Sequence, residues 1–267
     1  MSVLFEHMQR FVREVFSERL RQEGFVSYKD EDVHWYRLVN DEVIQAVYFV
    51  TRHTTLHTTV DIYYACHPLY IPPILQKSPY MYSLPGYEQM DDSIPETVPG
   101  STPYGFESLR IYGMYNRPYR IPDVLITCPQ DKNNGLDVLE KLFPVLDSIT
   151  TPYDCYLMHK KRRAREIESA NFWNMSSYFV DEVLYWEDET LYPFCRTYVE
   201  DTAVCFENLR AEKKLTRRED QELLLRLQRL KAVFNDGSLL AYKEELINRE
   251  HKNLYLLQKY AGIIPKR

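Results

Sequence analysis

Val33-His34-Trp35-Tyr36-Arg37-Leu38-Val39 and Val43-Ile44-Gln45-Ala46-Val47-Tyr48-Phe49-Val50-Thr51, joined by Asn40-Asp41-Glu42, decide the fold. Both runs are dominated by β-branched and aromatic residues, which fit a pleated, half-buried surface. Asn40 and Asp41 tolerate left-handed backbone, so the link between them reads as a hairpin turn. A third run, residues 56 to 65, extends the hairpin into an antiparallel meander. Its alternation sets Leu56, Thr58, Val60, Ile62 and Tyr64 on one face and His57, Thr59, Asp61 and Tyr63 on the other. One core face and one wetter face are predicted.

Upstream, Leu4, Phe5, Met8, Val12, Val15, Phe16 and Leu20 recur at three- and four-residue spacings, which predicts an amphipathic helix over 3–23 that packs on the meander and stops at Gly24. Downstream, residues 68 to 122 carry ten of the 15 prolines and eight of the 22 tyrosines. So long an irregular stretch marks either function or a lack of order, and its aromatic content argues against plain disorder. Strands are expected at 108–114 and 123–128 and a helix at 136–148.

Beyond about residue 150 the strand pattern ends. Helices are expected at 153–170, 177–186, 193–214, 216–235 and 238–261, with Thr216 and Glu219 as a capping box and Asn235-Asp236-Gly237-Ser238 as the link of an antiparallel helical hairpin. The expected class is therefore α+β: an antiparallel meander on an N-terminal helix, followed by a helical half. Residues 1–150 form the sheet part, with the Tyr/Pro-rich insert at about 68–122, and 151–267 the helical part, either separate or joined to the first as one domain. The first 149 residues carry a net charge of −7 and the remainder +1.

Gly24-Phe25, Trp35-Tyr36-Arg37, Asn40 and Val43-Ile44-Gln45-Ala46-Val47, placed between a leading helix and a meander, resemble the opening of an uncharacterised family of bacterial domains of unknown function. A fainter echo lies in residues 139–147. The resemblance covers about the first 65 residues and implies a bacterial origin, with no activity or catalytic residues attached. Some small acidic bacterial proteins of similar build neutralise toxins, which makes an immunity-like role an analogy.

Composition excludes several classes. The 267 residues are 45% hydrophobic and 27% charged with a net charge of −6, ordinary globular usage that rules out wholesale disorder. No apolar run approaches the roughly 18 residues of a membrane span, and the N-terminus lacks a secretory core, so a cytoplasmic protein without a membrane segment is expected. Five cysteines, never closer than ten positions, form no CxxC pair. Eight scattered glycines build neither GxGxxG nor GxxxxGK[ST], and GxSxG and HExxH are absent. No cofactor, metal or catalytic residue is assigned.

Four constellations stand out. His53 and His57, with Cys66-His67, could gather imidazoles at a metal, although residues four apart on a strand lie about 13 Å from each other, so hydrogen-bonded histidines on a sheet rim are expected. Arg37, Glu42 and Asp61 could meet on the open sheet face, where solvated charges are the ordinary outcome. His159-Lys160-Lys161-Arg162-Arg163-Ala164-Arg165 resembles a nucleic-acid patch, yet helical spacing spreads it around the helix, where it could pair with the acidic 181–189 stretch. Residues 104–120 interleave tyrosine with arginine, the chemistry of interface hot spots. Arg110, Tyr112, Tyr115, Arg117, Tyr119 and Arg120 are the expected partner-binding residues.

These features favour a non-catalytic protein-binding role. An enzyme without local motifs, its site between sheet and helices and built on Asp61, Glu42 or a histidine, is the alternative. Nucleic-acid binding through 160–165 and 210–218 is weaker, because an acidic sheet half repels phosphate.

Overall fold

A computed structural model describes residues 10, 12–27, 34–53, 58–70, 106–107, 129–169, 177–214, 218–256 and 265–266. It has the expected α+β architecture. The N-terminal helix, seen as a turn at 12–15 and α1 (Ser17–Gln22), ends where Gly24 takes φ +81°. The Phe25 amide donates to the Leu20 carbonyl and the Gly24 amide to that of Arg21, a Schellman closure that needs the left-handed residue.

Strands β1 (Val26–Ser27), β2 (His34–Val39), β3 (Val43–His53) and β4 (Thr58–Pro68) pair antiparallel in chain order. Two short strands complete the sheet: β5 (Phe106–Glu107) beside Tyr64 and Ala65, and β6 (Pro265–Lys266) parallel to Leu38 and Val39. Asn40 (φ +53°) and Asp41 (φ +57°) both sit in the left-handed region, and the Glu42 amide donates back to Val39. That is the hairpin turn their residue types predict.

Trp35, Val39, Val43, Val47, Phe49, Tyr64 and Cys66 share one face of the sheet and pack with Val12, Phe16 and Leu20 from the N-terminal helix. Leu139, Leu142, Phe143 and Leu146 complete this core from α2 (Pro129–Asp147). This helix begins seven residues before the expected start. Pro129 suits a first turn, where its missing N–H is no loss, while Asn133-Asn134-Gly135 disguised the continuation. The side chains of His57, Thr59, Asp61 and Tyr63, the wetter face expected of the third run, lie outside the described residues, but where β2, β3 and the end of β4 meet both faces are closed. Tyr36, Leu38, Ile44, Ala46 and His67 have the opposite parity and are buried too.

Arg37 is also a correction. It lies on the helix-covered face between Trp35 and Val39 and is fully buried. Its Nε donates to Gln45 Oε1 (2.5 Å), Nη2 to Asp147 Oδ1 (2.8 Å) and Nη1 to the Glu23 carbonyl (3.1 Å), with Phe25 beneath the guanidinium at 4.6 Å. Gln45 Nε2 in turn donates to the carbonyls of Leu146 (2.7 Å), in the last turn of α2, and Ile149 (2.8 Å), just past its end. Glu42 is exposed in the turn, and Asp61 pairs with Val50 five rows from Cys66, Gln45's partner. The three charges therefore do not form one cluster; the side chain of Asp61 lies outside the described residues.

The C-terminal half is helical: α3 (Pro152–Arg162), α4 (Ala164–Ser169), α5 (Ser177–Tyr185), a 3-10 turn (Glu189–Leu191), α6 (Tyr192–Ala211), α7 (Arg218–Asp236) and α8 (Leu239–Leu256). The single helix expected over 153–170 is divided at Arg163. A capping box of Thr151 and Asp154 starts α3, with Pro152 at its first position. Gln228 donating to Glu207 and Arg196 to the Phe234 carbonyl show α6 and α7 antiparallel, and Arg229 pairing with Glu245 does the same for α7 and α8. Phe179, Val183, Cys195, Val199, Leu227, Leu230 and Leu246 centre a second core, which includes Tyr70 from just past β4. Thr216, the expected strands at 108–114 and 123–128 and most of the insert lie outside the described residues.

Replacing Gln45 by Leu removes the side-chain donor to the Ile149 carbonyl and the acceptor of one guanidinium N–H, while the Leu146 carbonyl keeps the Ile149 amide, and is expected to cost about 2–4 kcal/mol. Urea unfolding of Gln45→Leu, Arg37→Ala and the double variant reads this cost. It also reads a coupling between the two sites of at least about 0.5 kcal/mol.

Candidate functional site

The chain leaving β4 runs between the two cores. His67 is 5% exposed, and its ring centroid lies 6.2 Å from that of His159 on α3, itself 2% exposed. His159 Nδ1 is 2.8 and 3.0 Å from the two carboxylate oxygens of the fully buried Glu182 on α5. A carboxylate only accepts, so Nδ1 carries the hydrogen. Burial, with the His159 charge, pushes His67 down to about 3, which keeps its imidazole neutral.

Next to Glu182, Asp181 is also fully buried and receives three donors from two further helices. Tyr242 donates to Oδ1 (2.6 Å), while Arg226 (2.5 Å) and Arg249 (3.1 Å) reach Oδ2. Arg249 also donates to the Tyr70 carbonyl (3.3 Å), and Asn253 to that of Leu69 (2.6 Å). Leu69 and Tyr70 are thus held by α8, while the Leu69 amide donates to Glu42 in the hairpin turn. Burial, the neighbouring Cys66, Glu182 and Asp154 push the Cys155 thiol well up, and burial raises Cys195 to about 12. Neither is a thiolate nucleophile near neutral pH.

Outside this polar seam lies an aromatic surface. Tyr153 and Leu157, one turn apart on α3, are 47% and 45% exposed. Tyr153 meets the edge of Trp186 at 5.0 Å, Trp186 meets Tyr185 at 5.2 Å, and Tyr185 stacks on buried Tyr70 at 4.0 Å. Trp186 Nε1 donates to the Tyr70 hydroxyl (3.0 Å), so the ladder joins the exterior to the seam. Asp188 anchors its rim: Tyr156, Lys160 and Thr190 all donate to its carboxylate. Burial works to raise Asp188, but these three donors hold it down at about 2.

The sequence-selected residues fare unevenly. The basic run is divided: His159 pairs with Glu182, Lys160 with Asp188 and Arg163 is buried, so the expected pairing with the 181–189 stretch is found, while Lys161 is exposed and the side chains of Arg162 and Arg165 lie outside the described residues. The register puts His53 opposite Thr58 and His67 opposite Ile44, so the two histidines occupy opposite ends of the β3–β4 pair. His57 lies outside the described residues, as do Arg110, Tyr112, Tyr115, Arg117, Tyr119 and Arg120. Among the described residues no group of three or more His, Cys, Asp or Glu is placed to hold a metal, and no helix is long and apolar enough to cross a membrane. Sequence reasoning missed Asp181, Glu182, Arg226 and Arg249. For Asp181 and Glu182 the one signal was charge on positions that α5 otherwise fills with Phe179, Val180, Val183 and Leu184. Comparison of the chain with protein-family models, curated proteins and solved structures gives no match.

Asp188→Asn is expected to destabilise the chain by roughly 2 kcal/mol at pH 7, following from a carboxyl lowered from 3.8 to about 2. A depressed carboxyl contributes above its unfolded value, so the gap to wild type closes as pH falls from about 4 towards 2. Thermal or urea unfolding across that range measures it.

Proposed function

We propose that this chain is a non-catalytic protein-binding protein whose described contact surface is Tyr153, Leu157 and Trp186. The carrying observation is that two large side chains, one aromatic and one aliphatic, stand nearly half exposed one turn apart on a helix whose other face is locked inward. Tyr and Trp provide large rigid contact area at low ordering cost, and such anchors dominate interface energetics. The charges beneath the surface support the same reading, because buried Arg37, Asp181 and Glu182 and half-buried Arg249 direct polar atoms to partners within the chain. Arg110, Tyr112, Tyr115, Arg117, Tyr119 and Arg120 supply a second contact element in this proposal, on the strength of their composition alone. An immunity-like neutraliser is one form that such a binder takes.

A motif-free acid–base enzyme is the second reading, favoured by one observation: His159 held by Glu182 and facing His67, between sheet and helices. General acid–base work requires a substrate within hydrogen-bond reach, and all three groups are 5% exposed or less. The inward use of His159, Lys160 and Arg163 argues against a phosphate-binding face on α3.

Immobilised wild-type chain and a Tyr153→Ala/Leu157→Ala variant test the binding reading. A protein captured by wild type, identified and then titrated calorimetrically, is expected to bind the variant at least tenfold more weakly, about 1.4 kcal/mol. Equal binding to both, with an unchanged unfolding midpoint, removes this surface from the reading.

A further inference from the structure

We propose that the His67–His159 contact is an acid-sensitive lock that holds α3 and its Tyr153/Leu157 face against the end of β4. The two imidazoles meet where the end of β4 faces α3, a helix that gives Cys155 to the sheet core and Tyr156 to the helical core. The strand supplies His67 and the helix His159, and the seam is closed to water on both sides.

The groups facing His67 set the sign. His159 of α3 faces His67 directly; behind it α5 carries Glu182 on His159 Nδ1 and, next in sequence, Asp181, which Arg226 of α7 and Arg249 and Tyr242 of α8 surround. On its own strand stand Cys66 and, just beyond, Tyr70. Asp181 is offset by Arg226 and Arg249, and Glu182 is paired with His159. A proton arriving on His67 places a buried cation beside His159, and burial together with that neighbour drives His67 down to about 3. Whenever the seam opens, water hydrates His67 and the imidazole regains its ordinary affinity for a proton, near 6.5. Proton uptake therefore favours the open seam increasingly as pH falls below that value, approaching tenfold in the opening equilibrium per pH unit.

The cysteines report the opening and separate it from global unfolding. Cys66 precedes His67 and Cys155 lies one turn before His159, so both are uncovered when α3 leaves β4. Cys195 is buried in the helical core, and Cys205 is exposed throughout. A disulfide probe that labels thiols at acid pH, 4,4′-dithiodipyridine, is followed residue by residue by mass spectrometry on the full chain at pH 7.5 and 5.5. Expected is a several-fold rise in labelling of Cys66 and Cys155 at pH 5.5, normalised to Cys205, with Cys195 still protected. His67→Leu is expected to abolish the rise, and His67→Gln does the same service if the leucine variant does not fold. The proposal is overturned if Cys66 and Cys155 stay as protected at pH 5.5 as at pH 7.5. It is equally overturned if Cys195 is labelled in step with them, or if the acid response survives the loss of His67.

Discussion

The Arg37 guanidinium is the constraint around which the sheet half is arranged. A buried cation of this kind is tolerable only when its donors are met, and here they reach three separate parts of the chain: the strand beside it, the end of the first helix and the last turn of α2. Each partner depends on a local device. The Glu23 carbonyl is presented by the closure that Gly24 makes possible, and Phe25 lies directly under the guanidinium because the chain turns there. Asp147 is delivered by α2, and Gln45 fixes the same helix end by taking two of its carbonyls. Small changes in register at β2 or β3 would move Arg37 or Gln45 to the opposite face, so the polar cluster also specifies the strand alignment.

The helical half rests on a second arrangement of the same type, with the charge reversed. Asp181 is a buried anion met by a tyrosine and two guanidinium groups, and those groups belong to α7 and α8. Arg249 serves two masters, since it also holds the Tyr70 carbonyl, and Asn253 holds that of Leu69. The few residues after β4 are therefore tied to the hairpin turn by a backbone hydrogen bond at one side and to α8 at the other. Hydrophobic burial supplies most of the stabilisation in both cores, while these polar ties determine which helix end meets which strand.

Much of the fold was legible in the sequence because its signals were local. The β-branched runs, Asn40-Asp41 and Gly24 each act over a few residues, and each is found in the role its chemistry dictates. Arg37, Gln45 and the sequence-distant Asp147 share one polar cluster, with Phe25 stacked on the guanidinium. What was not legible was non-local. Arg37 in a strand suggests a wet face, and only alternation with Trp35 and Val39 pointed inward. Asp181 and Glu182 carry no signal of their partners, which lie more than 40 residues further along in α7 and α8 or some 20 residues back in α3. The split of the basic helix at Arg163 has no sequence signal at all.

The geometry of α3 links the surface to the seam. One helical face presents Tyr153 and Leu157 outward, and the other carries Cys155 and His159 into the interior. About three turns of hydrogen-bonded backbone move as a unit far more readily than they deform, so the two faces cannot be displaced independently. Trp186 strengthens the connection, since it touches Tyr153 at the surface and hydrogen-bonds Tyr70 at the seam. Any ligand that prefers the seated position of α3 therefore stabilises the His67–His159 contact by the difference in its affinity for the two positions. By linkage the seam tightens that ligand to the same degree. A proton at His67 and a protein at Tyr153 would then compete through one rigid element, each shifting the other's equilibrium without sharing an atom.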